Sequence, residues 1–319
     1  MFYKKAELNF LNNFKYSLKD RIKNILHNSV IIPYRKKSKR YRIWNYKTEE
    51  KFISKIEEIY IKNKDQFENI LVSIVMPVFN RADIVGKAIE SVLNQSHQAW
   101  QLIIIDDGGT DNLDKVVRNF KNDKKINFIR IEHNGVSYAR NKGLELAEGK
   151  YVFYLDSDNQ WTENYLRYMI SLMEFGQLNS SYAGLRIFDD ENKVVGYFGE
   201  TFSWRSCHEL NFIDLNSFAH RKDLVDESTR FDTKLRRLVD WDFILSVTSK
   251  NRVVFAPFIG VYYYDGRNQN RITTTECQGE QIFMIIDYIK NKHLSVANQI
   301  CDIADLQWAK IVTKGWKKD

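Results

Sequence analysis

Three prolines and three cysteines in 319 residues leave little to punctuate or staple the chain. Cys207, Cys277 and Cys301 stand far apart with no CxxC pair. Neither a disulfide framework nor a cysteine zinc site is therefore expected, and a reducing cytosol is the expected setting. Long apolar runs are also missing. The longest, Val253 to Tyr264, covers 12 residues and contains Pro257, short of the ~18 that a membrane span needs. With 44% hydrophobic residues the chain has material for a core, which excludes disorder throughout. Its 48 Lys+Arg against 41 Asp+Glu give a formal charge of +7, a balance that invites nucleic acid, an anionic membrane or phosphorylated substrates.

That charge is unevenly placed. Residues 1–71 hold 17 basic and 8 acidic side chains, a net +9, which leaves 31 basic and 33 acidic in 72–319, a net −2. Within the basic segment, Leu11, Phe14, Leu18, Ile22 and Ile25 recur at helical steps with lysines and arginines between them. Pro33 ends that pattern, and the run Arg35, Lys36, Lys37, Lys39, Arg40, Arg42 follows. A second amphipathic stretch over about 48–69 repeats Phe52, Ile56 and Ile59. Two readings stand: both helices pack on the body of the protein, or residues 1–45 form an interfacial arm drawn to an anionic membrane. The slightly acidic body offers no wide basic footprint, so nucleic acid is not expected as a partner.

From Val72 the rhythm changes. Strands are expected at Val72–Phe79, Gln101–Asp107, Ile126–Ile131 and Lys150–Leu155, with helices at 83–95, near 111–121 and at 137–147 between them. This alternation implies βαβ units and a mostly parallel α/β sheet, in which nucleotides bind at the carboxyl ends of the strands. Beyond 180 the pattern loosens: short strands at 182–189, 193–198 and 217–221, a helix at 240–249, then helical stretches at 276–291 and 295–312.

Carboxylates gather at those strand ends. Asp106 and Asp107 lead into Gly108-Gly109-Thr110-Asp111. Asp111 suits an N-cap, whereas the adjacent pair has no evident structural purpose and would accept from a base N–H. Leu155-Asp156-Ser157-Asp158-Asn159 places two carboxylates one residue apart, an oxygen set suited to a divalent cation.

Four segments in order carry a resemblance: Val72-Ser73-Ile74-Val75-Met76-Pro77-Val78-Phe79-Asn80, Ile105 to Asp111, Asn134-Gly135-Val136-Ser137-Tyr138-Ala139-Arg140-Asn141, and Gly149 to Asp158. Together they resemble the inverting family 2 glycosyltransferases of GT-A fold over about 72–175, more thinly to Phe231-Asp232 and Val239-Asp240-Trp241-Asp242. The resemblance implies a mostly parallel central sheet flanked by helices and a nucleotide-sugar donor, UDP-linked in expectation. It implies that Phe79 stacks on the base, with Pro77 and Val78 shaping its pocket and Asp107 accepting from it. Arg140 would face the diphosphate or ribose, Asp156 the ribose or sugar, and Asp158 would hold Mn²⁺ or Mg²⁺.

Inverting transfer is a single displacement, so the attacking hydroxyl must lose its proton to a carboxylate opposite the leaving group. Asp240 matches the second acid of the family's Glu-Asp pair and is the expected base; capping the following helix is its other reading, and Asp242 is the fallback. Val239 and Asn159 depart from the family pattern, standing where acids often occur. Trp241 is either a sugar-stacking wall for the acceptor or a core residue.

The expected organisation is a basic helical extension at 1–71, a GT-A domain at 72–275 (nucleotide-sugar half 72–180, acceptor half 181–275) and C-terminal helices at 276–319. The expected activity is addition of one sugar to a growing surface glycan or lipid-linked glycan, since neither a Q-x-x-R-W signature nor membrane helices point to a processive synthase. The expected location is cytoplasmic, peripheral on the inner membrane face if the arm binds lipid. The competing class is a non-catalytic GT-A scaffold in a glycan assembly complex. Retention of Asp107, Asp156, Asp158 and Asp240 argues against it.

Overall fold

A computed structural model of the chain describes residues 44–120, 124–251, 253–265 and 280–299. The expected helix over 11–25 and the basic run at 35–42 lie outside the described residues, as do 300–319. The described residues from Asn45 onward belong to one compact unit. The boundary expected at 71 is thereby corrected. Helix α1 (Tyr46–Lys62), capped by Asn45, and the short α2 (Lys64–Phe67) belong to the same body as the sheet. The cause is the apolar stripe Phe52, Ile56 and Ile59, all buried. Phe52 stacks on Phe258 with ring centres 5.5 Å apart, and Arg167 pairs with Glu57 at 2.7 Å.

The core alternation follows expectation: β1 (Val72–Val78), α3 (Val85–Leu93), β2 (Trp100–Asp106), α4 (Leu113–Arg118), β3 (Ile126–Arg130), α5 (Val136–Leu146) and β4 (Tyr151–Tyr154). β1 is parallel to β2 and β4, and β2 to β3. Every residue of β1 and β2 is buried, as befits strands covered on both faces. Pro77 is tolerated inside β1 because pairing with β4 ends at Val75↔Tyr154. The Val75 carbonyl takes the Leu155 N–H on that side. By alternation the nitrogen of Pro77 faces the same side, past the last rung, where a missing donor breaks no ladder bond.

After β5 (Gln160–Trp161) and α6 (Tyr165–Phe175) come β6 (Ser180–Phe188), β7 (Val194–Phe198), α7 (Trp204–Glu209), β8 (Phe218–Arg221), α8 (Val239–Thr248), β9 (Val253–Tyr264), α9 (Glu280–Lys292) and α10 (Leu294–Ala297). Among the described residues the sheet orders as β3-β2-β1-β4-β8-β6-β9-β5, with β7 beside β6. β8 runs antiparallel to β4, so the sheet turns from parallel to mixed where the regular pattern fades. Among the described residues β5, α6, α7 and β9 have no counterpart among the expected elements. α6 is mostly apolar, with eight of its eleven residues buried, which leaves only a narrow polar face to mark its period. β9 contains Pro257, which falls in a register shift between Ala183↔Ala256 and Gly184↔Ile259, a bulge that needs no donor there.

The expected break at 275/276 is corrected as well, because α9 and α10 lie within the same unit. Lys290 pairs with Glu209, and Lys292 and His293 both reach Asp242.

One glycine is fixed by close approach. A Cβ on Gly149 would sit 2.5 Å from the Ser73 nitrogen and the Val72 carbonyl carbon, both backbone of the central strand. The Gly149 N–H also donates to the Ser73 hydroxyl at 2.8 Å. Gly149→Ala is expected to destabilise the fold by about 3 kcal/mol, the upper end of overpacking costs. Urea denaturation checks this: an unchanged midpoint would show that β1 can shift to make room.

Candidate active site

The carboxyl ends of β1, β2 and β4 lie side by side, and their loops are stitched by named bonds. Asn80, in the left-handed region at φ 50°, accepts from the Thr110 N–H at 2.7 Å. Asp111 accepts from the Ala82 N–H at 2.7 Å. It therefore ties two loops, while Asn112 precedes α4 as its cap residue; this corrects the capping role expected of Asp111. Asp106 also has a purpose that the sequence concealed. It is fully buried, takes the Gly109 N–H at 2.8 Å and pairs with Arg130 at 2.6 Å.

Asp107 is buried beside it. Its two oxygens accept from the Asn134 and Gly135 N–H groups, each at 2.9 Å, just before α5, and His133 Nδ1 lies 2.9 Å from it. A carboxylate has about four acceptor positions, and the Asn134, Gly135 and His133 groups take up three of those of Asp107. Phe79 is 42% exposed. One face stacks on His133, with ring centres 4.2 Å apart and planes 20° apart. The two rings form a flat ledge at the end of β1. Pro77 and Val78 are buried in the strand below it.

A second group of acids gathers at the end of β4, the turn before β8 and the start of α8. Arg140, on α5 and buried, donates to Asp156 Oδ1 at 2.8 Å. Asn216, buried just before β8, donates to Asp156 Oδ2 at 3.1 Å and to Asp214 Oδ1 at 2.8 Å. Asp240 is the second residue of α8, half-buried, and accepts from Asn211 at 3.1 Å. Leu238, in the left-handed region, occupies the cap position, so Asp240 is not the N-cap. Burial pushes the Asp240 carboxyl above the usual carboxylate range; the Arg140 charge and hydrogen bonds from Trp241 N–H and Asn211 oppose this, and Asp156 adds to it. Asp214 is pushed up to about 7, mainly by burial, with Asn216 opposing and the charges of Asp156 and Asp240 contributing. Asp156, Asp214 and Asp240 thus feel one another's charge, with Arg140 acting on Asp240 and holding Asp156.

Asp158 is half-buried. Its Oδ2 lies 3.3 Å from Arg81, and its Oδ1 takes the Asn159 amide at 3.1 Å. It borders a cleft of about 190 Å³ with Lys87, Gln160, Asp189, Asp190 and Tyr264 among its walls. Among the described residues no three His, Cys, Asp or Glu side chains converge to cage a metal ion.

Comparison with known proteins resolves the family. Residues 73–222 match the model of glycosyl transferase family 2. The chain carries a family 2 glycosyltransferase domain. Over 132 residues it is 35% identical to the UDP-Glc:alpha-D-GlcNAc-diphosphoundecaprenol beta-1,3-glucosyltransferase WfgD of Escherichia coli, covering 41% of this chain and 51% of that one. Over 234 residues it is 26% identical to the poly(ribitol-phosphate) beta-N-acetylglucosaminyltransferase TarP of Staphylococcus aureus, covering 70% of this chain and 66% of that one. The first curated relatives are matched over between 21% and 52% of their own length. In structure it is similar to residues 1–349 of S. aureus TarS solved with UDP-GlcNAc, with a TM-score of 0.61 and 16% identity over 75% of this chain and 70% of that one. That likeness shows the GT-A fold expected from the four motifs.

Within the glycosyltransferase domain, Asp156 and Arg140 are joined directly, and Asp240 lies within the reach of their charges. Phe79 and Asp107 share the β1–β2 end, both in contact with His133. Trp241 resolves to its core reading. It is 2% exposed and its indole donates to the Cys207 carbonyl at 2.6 Å, so no ring face is left for a sugar. Asp242, the fallback base, is fully buried and bonded to Lys292 and His293. Asp214, Asn216, Asn211 and His133 were not legible as site residues. Asp214-Leu215-Asn216 stands before a strand rather than after one, and it reaches the site because β8 runs antiparallel to β4, a reversal with no signal in the sequence.

Proposed function

We propose that this chain transfers one sugar from a UDP-linked donor to a hydroxyl of a glycan or lipid-linked glycan, with inversion, using Asp240 as general base. The observation that carries the reading is the convergence of a half-buried, upward-shifted Asp240 carboxyl with the Arg140–Asp156 pair in a family 2 domain. WfgD, named for a UDP-Glc donor and a lipid diphosphate acceptor, and TarS, solved with UDP-GlcNAc, support the donor class.

The Phe79–His133 ledge receives the base on the open face of Phe79, and Asp107 accepts its N–H. Asp156, fixed by Arg140 and Asn216, accepts from a donor hydroxyl. As the acceptor oxygen bonds to the anomeric carbon, the bond from that carbon to the diphosphate oxygen breaks, and the acceptor proton passes to Asp240. A carboxyl raised by burial is a stronger base than an exposed one, and the Arg140 charge opposes the rise by favouring the ionised form, a combination that suits proton uptake.

The family also implies a divalent cation. Asp158 offers hard oxygen ligands at the edge of an open cleft, and no protein cage surrounds it among the described residues. These residues fit an ion held by one or two carboxylates and completed by substrate phosphates, as Mg²⁺ and Mn²⁺ often are. Arg81, at 3.3 Å, supplies the positive partner of Asp158 in this structure. When bound, the ion offsets negative charge on the departing diphosphate. The basic segment 1–45, as a membrane-attracted arm, would bring the domain to lipid-linked acceptors; among the described residues no helix is long and apolar enough to cross a membrane.

A panel of UDP-sugars assayed for UDP release, with a glycolipid extract as acceptor, tests the reading. UDP release is expected with at least one donor, falling at least a hundredfold in EDTA and returning with Mn²⁺ or Mg²⁺. Turnover that persists in EDTA would remove the cation from the reading; the absence of turnover with every donor and extract would favour the non-catalytic scaffold.

A further inference from the structure

Asp156 has both carboxylate oxygens committed to protein donors, and only one of those donors comes from the motifs that carry the family resemblance. Oδ1 takes Arg140. Oδ2 takes Asn216 Nδ2 at 3.1 Å. The Asn216 carboxamide makes a second bond to the same residue: its Oδ1 accepts the Asp156 main-chain N–H at 2.6 Å. One side chain therefore fixes both the backbone and the carboxylate of Asp156. An amide does this in only one sense, since reversing it would aim its oxygen at a carboxylate.

Asp214 sets that sense. Its Oδ1 accepts from Asn216 twice, from Nδ2 at 2.8 Å and from the main-chain N–H at 2.9 Å. The two Nδ2 hydrogens thus go one to each carboxylate, which leaves Oδ1 for the Asp156 N–H. Asn216 is itself anchored from the other side, where Trp161 Nε1 donates to its carbonyl at 2.9 Å. Ser217 Oγ donates to the Asp214 carbonyl at 2.8 Å, so the whole turn is tied down. Asn216 is 2% exposed and its amide fully used, the condition under which a polar network holds a single geometry.

We propose that Asn216 is the positioning residue for Asp156, holding its carboxylate in line with Arg140, and that Asp214 serves to fix the Asn216 amide. This deepens the reading of the site as a nucleotide-sugar transferase and rests on it for the role of Asp156. It separates two functions among the three clustered acids: Asp240 takes the proton, while Asp214 orients without touching the reacting atoms.

Three substitutions test it, two of them nearly isosteric. Asn216→Asp removes both amide donors and places a third carboxyl between two others. Asp214→Asn keeps an oxygen acceptor for Asn216, whereas Asp214→Ala removes it. Crystal structures of the full chain and variants give the first readout, and calorimetric titration with UDP and with UDP-GlcNAc gives the second. In Asn216→Asp the Asp156 carboxylate is expected to leave the Arg140 line, and affinity for at least one of the two probes to fall at least tenfold. Asp214→Asn is expected to keep the wild-type Asp156 position and to bind within threefold of wild type. Asp214→Ala should follow Asn216→Asp, and thermal midpoints show whether each variant is folded at the titration temperature.

An unmoved Asp156 in Asn216→Asp overturns the positioning role, as does equal behaviour of the two Asp214 variants. Loss of turnover in Asp214→Asn with binding intact would make Asp214 the base instead. The crystallographic readout needs no catalysis, so it decides the positioning claim even if the wild-type chain turns over no donor. Failure of the functional reading is thereby kept distinct from failure of this one.

Discussion

Replacing Asp240 by asparagine is expected to lower sugar transfer roughly thousand-fold while leaving UDP-sugar binding within about threefold, the pattern of a lost general base. The substitution is nearly isosteric, and an amide oxygen can still accept from Asn211 and from the Trp241 N–H. What vanishes is a group able to take a proton. Because Asp240 is not the cap of α8, the helix start should survive. Removing a charge that feels Asp156 also relieves like-charge repulsion, so stability should hold or rise slightly. The pH profile adds a second check. Burial raises the Asp240 carboxyl, so wild-type transfer should fall as pH drops through that raised value and the base becomes protonated. The residual activity of Asp240→Asn should lack that acid limb. Near-normal transfer by the variant would sink the assignment and leave Asp214 as the partly exposed acid next in line.

How much of this was readable beforehand divides along the chain. The βαβ rhythm from Val72 to Leu155 was legible because each strand is a short, mostly apolar run and helical patterns separate the strands. The strand ends located Phe79, Asp107, Asp156 and Asp158. After residue 155 the expected strands at 182–189, 193–198 and 217–221 and the helix at 240–249 match β6, β7, β8 and α8, while other elements were missed for identifiable reasons. α6 buries most of its circumference, and β9 carries its proline in a bulge. Side chains that work through partners distant in sequence were harder still. Asn216 meets Asp156 across 60 residues and Asp240 meets Asn211 across 29, and neither spacing forms a local motif. Charge misled at one point: the net +9 made residues 1–71 read as one extension, yet the stripe Phe52, Ile56 and Ile59 commits 46–62 to the core. Asp106 misled in the opposite direction. As a bare carboxylate beside Asp107 it suggested a ligand, but its partners are Gly109 and Arg130.

The two acids of the Asp240-Trp241-Asp242 segment should separate cleanly in the laboratory. Asp242 lies on α8 with no exposed surface, and it accepts from Lys292 Nζ at 2.7 Å and His293 Nε2 at 2.9 Å. Lys292 also reaches Asp232 at 3.4 Å, and Tyr288 donates to the same Asp232 oxygen at 2.9 Å. Burial alone would lower the Lys292 pKa; the hydrogen bond and charge of Asp242, with Asp232 behind them, raise it on balance. The C-terminal end of α9 is therefore fastened to the rest of the body at a buried carboxylate whose donors are the exposed Lys292 and the buried His293. Removing the carboxylate returns Lys292 to water but leaves the buried His293 nitrogen unsatisfied, a cost of about 1–3 kcal/mol. Asp242→Leu should show a loss near that size in chemical denaturation. Asp242→Asn should lose less, since an amide oxygen can still accept one of the two bonds. Under conditions where either variant remains folded, transfer per folded molecule should stay within about threefold of wild type, in contrast to Asp240→Asn. A stable Asp242→Leu variant would show that α9 is held by its apolar face alone. A stable but inactive Asp242→Asn would return Asp242 to the chemistry.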